Sequence, residues 1–92
     1  MLPLLLVTII AGTIPPYNVD GSCRADTEAA GDPSAYQSCV KDEEAAKQAV
    51  ARKWSSYSTA ARQICTSEQD GVSQHSYVEL MTCFEMQAWK TH

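Results

Sequence analysis

Asp32–Tyr57, DPSAYQSCVKDEEAAKQAVARKWSSY, is the stretch from which the class of fold can be read. It opens with Asp in the N-cap role and Pro at the first helical position, where a missing N–H costs nothing. Tyr36, Cys39, Val40, Ala46, Val50, Trp54 and Tyr57 then recur at steps of three and four, while Lys41, Asp42, Glu44, Lys47, Gln48 and Lys53 occupy the other faces. Alanines at 45, 46, 49 and 51 favour helix and let a neighbour approach closely. Ser55, Ser56 and Ser58 end the run.

Outward from this helix, the pattern repeats on both sides. Upstream, a short helix is expected over Cys23–Ala30, closed by Gly31 as a C-terminal cap. Downstream, the serines cap a third helix carrying Ala61, Ile64, Cys65 and Glu68 along one side, and Asp70-Gly71 marks a turn. Ser76 and Glu79 form an S-x-x-E capping box for a last helix, with Tyr77, Leu80, Met81, Phe84, Ala88 and Trp89 as its apolar face. Each half contains a cysteine, a glycine-bearing turn, a Ser/Tyr helix start and a second cysteine, which reads as a degenerate duplication of a helical hairpin.

Four cysteines permit three pairings. Cys23 and Cys39 are equidistant from Gly31, and Cys65 and Cys83 from position 74, so antiparallel hairpins bring each pair level. Cys39 and Cys65 lie unequally about the serine break. The expected disulfides are therefore Cys23–Cys39 and Cys65–Cys83, in an all-α bundle of about four helices arranged as two hairpins. Large apolar side chains are few, and a core of this size is marginal without such staples. Disulfides imply an oxidising compartment. Zinc and thioredoxin-like sites need close pairs such as C-x-x-C, whereas fifteen residues separate Cys23 from Cys39, and neither His75 nor His92 stands at ligand spacing from a cysteine. No metal and no cofactor are expected.

The amino-terminal end reads differently from the rest. Met1–Val19 contains no Asp, Glu, Lys or Arg, and the apolar run Leu2–Ile14 is about 13 residues, short of the roughly 20 that a membrane-spanning helix needs. Leu4–Ile10 fits the hydrophobic region of a signal peptide, with small residues following at Ala11, Gly12 and Thr13, although no Lys or Arg precedes it. The expected organisation is a signal peptide or short anchor over residues 1–14, a linker over 15–22 holding Pro15-Pro16, and a helical domain over 23–92. The mature chain is expected to begin between Thr13 and Ser22.

Seven Lys+Arg against eleven Asp+Glu give a net charge of -4, and the basic residues are scattered, which argues against nucleic-acid binding. The chain contains no P-loop, dinucleotide fingerprint, EF-hand or H-E-x-x-H. Glu43, one turn after Cys39, and Glu85 border apolar stripes. Paired carboxylates can do acid–base work, but residues so placed more often bond an arginine, for which Arg24 and Arg62 are available. His75-Ser76 lacks a G-x-S-x-G turn, so Ser76 is better read as a cap. Trp54, Tyr57, Tyr77 and Trp89 are expected in the core, with Trp89 as a candidate partner-facing anchor.

The combination Cys39-x3-Glu43-x2-Ala46-x7-Trp54, Arg62-x2-Cys65 and Ser76-Tyr77-Val-Glu-Leu80-x2-Cys83-x-Glu85 resembles a group of small secreted four-cysteine helical proteins from alphaproteobacteria, over roughly residues 20–88. The resemblance implies an exported helical protein and carries no catalytic residues over. The expected function is that of a non-enzymatic exported or periplasmic accessory factor that binds a protein or an envelope component, with Trp89, Trp54, Glu43 and Glu85 as candidate contact residues. Two alternatives stand beside it. One is a small hydrolytic or redox enzyme using Glu43, Glu85 or His75. The other is an accessory subunit of an envelope complex, held at the membrane if the apolar segment is retained.

Overall fold

The computed structural model describes residues 14–71 and 74–90. The leader expected over 1–14 lies outside them except for Ile14. Among the described residues four helices follow one another: α1 (Val19–Ala30), α2 (Ser34–Lys53), α3 (Thr59–Glu68) and α4 (Tyr77–Lys90), with a 3-10 turn at Trp54–Ser56 between α2 and α3. α2 packs against α1 and α4, and α4 packs against α3, so the spatial order is α1, α2, α4, α3. The protein is a small all-helical bundle of two disulfide-stapled hairpins. Cys23–Cys39 joins α1 to α2 with Cα atoms 5.5 Å apart, and Cys65–Cys83 joins α3 to α4 at 5.6 Å.

Local chemistry sets most helix ends. α2 begins at Ser34 with Pro33 in the N-cap place, one residue later than the Asp-Pro reading expects, and Asp32 accepts the Ser34 N–H from just outside the helix. Gly31 has φ 69°, a left-handed conformation that side chains resist, and its N–H closes α1 on the Thr27 carbonyl. Ser58 caps α3 by accepting from the Ala61 N–H. One boundary corrects the expectation: α1 begins at Val19, inside the segment read as linker over 15–22. The only Asn supplies the reason, since the Asn18 side chain accepts the Gly21 N–H and starts the helix four residues early. A Cβ on Gly21 would lie 2.6 Å from the Asn18 amide nitrogen, so glycine is what permits this close cap.

The core is built from the second half of α2 and the inward face of α4. Ala46, Val50 and Trp54 meet Tyr77, Leu80, Cys83 and Phe84, with Cys65 from α3. Phe84 stacks on Tyr57 with ring centres 3.7 Å apart and meets Trp54 edge-on at 5.8 Å. Arg62 lies over the Trp54 ring and reaches its carbonyl, so it is engaged by the core's rim rather than by Glu43. Trp89, expected on the apolar face, is instead 82% exposed, and Ala88 is exposed beside it. Trp89 stays in solvent because it lies with Thr82, Glu85 and Met86 on the side of α4 turned away from Leu80 and Phe84.

Candidate functional site

Glu43 falls in phase with the apolar positions of α2, at the three- and four-residue steps that also select Tyr36, Val40, Ala46 and Val50. A carboxylate at a core position must find donors, because a buried charge without them is costly. It finds them at the start of α4. The Tyr77 N–H donates to Oε1 at 2.7 Å, and the Ser76 hydroxyl and Val78 N–H donate to Oε2 at 2.6 and 3.5 Å. Glu43 is 5% exposed. The expected arginine partners are elsewhere: Arg24 pairs with Asp20, and Arg62 lies on Trp54.

The remaining donors at this helix end are satisfied as well. Ser76 Oγ accepts the Glu79 N–H at 3.2 Å, as a capping box requires. The reciprocal half is not supplied by Glu79. The Ser76 N–H instead donates to Oε1 of Gln69, a buried side chain at the end of α3. The N–H groups of Ser76, Tyr77 and Val78 are therefore met by side chains from other elements and that of Glu79 by the Ser76 cap itself, and the negative carboxylate also complements the positive end of the helix dipole. The chemistry available to Glu43 here is that of an acceptor for a helix end.

A second polar cluster fastens the residues that precede α1. Tyr77 is fully buried, and its hydroxyl donates to the Pro15 carbonyl at 2.6 Å while accepting the Tyr17 N–H at 2.9 Å. The Tyr17 ring lies 4.8 Å from that of Tyr77 and 5.0 Å from that of His75. Burial, reinforced by Tyr77 and Asp70, pushes the Tyr17 hydroxyl up to about 12. The Ser22 hydroxyl donates to the His75 carbonyl at 2.6 Å. His75 thus serves as a backbone acceptor and a ring contact, and the Ser76 hydroxyl points to Glu43.

Glu43 and Glu85 are not brought together. The Glu43 carboxylate sits at residues 76–78, and Glu85 lies two turns further along α4, about 12 Å by helix rise, on the exposed side. Its charge acts on Tyr57, whose hydroxyl is raised first by burial and then by Glu85. Among the described residues no set of three or more His, Cys, Asp or Glu side chains is placed to hold a metal ion, and no helix is long and apolar enough to cross a membrane.

Of the four candidate contact residues, Trp54 and Glu43 are buried and Glu85 and Trp89 are exposed. Thr82, Glu85, Met86 and Trp89 follow the three-and-four spacing of one helical face, turned away from Leu80 and Phe84, and line an open groove of about 400 Å³ with Lys90. Met86 is 58% exposed. Sequence reasoning singled out Trp89 but missed Met86 as its companion, although their separation of three residues already placed them on one face. It also missed Gln69 and Tyr17, whose roles depend on contacts between segments distant in sequence. No known protein family, curated protein or solved structure matches this chain.

Proposed function

We propose that this protein is a non-enzymatic accessory factor of the periplasm or the extracellular space, which docks on another protein or envelope component through the outer face of α4. The observation that carries this reading is the placement of Trp89 and Met86 side by side in solvent, where among the described residues the other exposed large apolar side chain is Ile64 of α3. Exposed aromatic and methionine side chains at one spot supply the rigid and adaptable contacts typical of binding anchors. The two disulfides support an oxidising environment.

A photoreactive side chain at position 89 tests the reading in cells that export the full chain. It is expected to give a discrete cross-linked adduct that is lost on Met86→Ala, whereas the same group at exposed position 41 of α2 gives none. Equal labelling from both positions, or none from position 89, overturns it.

A further inference from the structure

We infer that the outer face of α4 pairs with the same face of a second copy of this chain, the two α4 helices running parallel about a two-fold axis. The inference rests on the reading of that face as a docking surface and names its occupant. Its warrant is the way charge flanks apolar surface along one helix: Glu85 and Lys90 border Met86 and Trp89, all four exposed and all within the described part of α4.

Successive residues of a helix turn by about 100°, so Thr82, Met86 and Trp89 form a stripe with Glu85 along one edge and Lys90 along the other. In heptad terms Met86 stands at a, Thr82 and Trp89 at d, Glu85 at g and Lys90 at e. The Thr82 hydroxyl donates to the Val78 carbonyl of its own helix at 2.9 Å and needs no partner across the seam. Glu85 and Lys90 stand five residues apart on opposite edges, which is not the three- or four-residue spacing of an ion pair within one helix. Neither forms an ion pair elsewhere among the described residues, where Arg24 pairs with Asp20 instead.

Charge selects both the occupant and its direction. In a parallel pair the g position of one helix faces the e position five residues further along the other, so Glu85 of each copy meets Lys90 of the other, and the two-fold axis makes this pair twice. An antiparallel pair sets g against g and e against e, which places glutamate by glutamate and lysine by lysine. Between the charged rims Met86 and Trp89 meet their own counterparts and leave water. The seam is short, because Glu79, one a position earlier, is charged and exposed and ends it. Five side chains from each copy fall well short of the roughly 20 that each partner gives a stable interface, so the chain is a monomer when dilute and pairs as it is concentrated.

The test is sedimentation equilibrium of the purified, disulfide-bonded full chain over rising concentration. A monomer–dimer equilibrium is expected. Glu85→Lys and Lys90→Glu are each expected to raise the dimer dissociation constant about tenfold with helix content unchanged, because each turns two attractive pairs into two repulsive ones at exposed positions. The double variant Glu85→Lys with Lys90→Glu is expected to regain the pairing, as is an equimolar mixture of the two single variants. A chain that stays monomeric, a dimer indifferent to both single substitutions, or a double variant that stays apart overturns the inference. If the chain is monomeric, an adduct from position 89 to a different protein leaves the docking reading standing, and the lack of any adduct overturns both.

Discussion

The two hairpins share a plan and differ in what holds them. In both, a disulfide joins the helices with nearly the same Cα separation. The α3–α4 disulfide lies inside the apolar cluster, with Leu80, Phe84 and Tyr77 around it, whereas Cys23 is buried outside that cluster. The α1–α2 pair has the tight Gly31 turn and surface contacts instead: Asp20 accepts from Tyr36 and pairs with Arg24, which lies over the Tyr36 ring. Those contacts hold the exposed Asp20 carboxyl below the usual range, chiefly through the Tyr36 hydroxyl, but exposed pairs of this kind stabilise little. A cross-link therefore reinforces a core in one hairpin and takes the place of a core in the other.

Removing the cross-links tests that difference most directly. Cys65→Ala with Cys83→Ala is expected to lower global stability by about 3–4 kcal/mol, since it both frees a long loop and loosens the core. Cys23→Ala with Cys39→Ala is expected to act locally, with faster amide exchange in α1 while α2 and α4 keep their protection. Equal loss of protection across all four helices in both variants would show that the hairpins are not held differently.

Glu43→Gln comes next. The carboxamide keeps the shape but loses the charge and one acceptor oxygen at the start of α4, for an expected cost of about 2–3 kcal/mol by denaturant titration. A change below about 0.5 kcal/mol would mean that the helix end finds its partners without Glu43.

The contact that ties the amino-terminal segment to the second hairpin has a pH signature. The Tyr17 hydroxyl is raised from 10.0 to about 12, so between those values the unfolded chain ionises it while the folded chain keeps the proton. Stability from this group is complete below pH 10 and falls as pH rises toward 12, by a modest amount because Tyr17 is only partly buried. Ultraviolet titration should show a late-ionising tyrosine that is absent in Tyr17→Phe. The smallest effect is expected at Trp89: replacement by Ala should change stability by less than about 0.5 kcal/mol in denaturant titration, because its ring contributes little to the core. A large loss there would place Trp89 among the core residues and remove the proposed docking face.

Much of the architecture is legible in the order of the residues. The three-and-four spacing over Tyr36–Trp54 gave α2, the serine and Asp-Pro signals gave most helix starts, and the level placement of cysteines about Gly31 and position 74 gave the pairing. These are features of neighbouring residues, and local geometry is enough to express them. The candidate site was less legible. Glu43 stood out as an acid in an apolar phase, but its donors lie more than thirty residues away. The segment 15–18 looked like linker because prolines signal extended chain, and nothing local reveals that an extended chain is packed under a distant tyrosine's hydroxyl.

Composition, periodicity and cysteine spacing thus suffice to specify an all-helical, twice-stapled domain, because helix propensity, capping and loop closure depend on residues close in sequence. Which face of α4 is left in solvent, which partner satisfies Glu43, and where residues 14–18 lie were settled by packing. Each of these depends on which distant segments come together to share the few buried apolar and hydrogen-bonding surfaces that a small chain has.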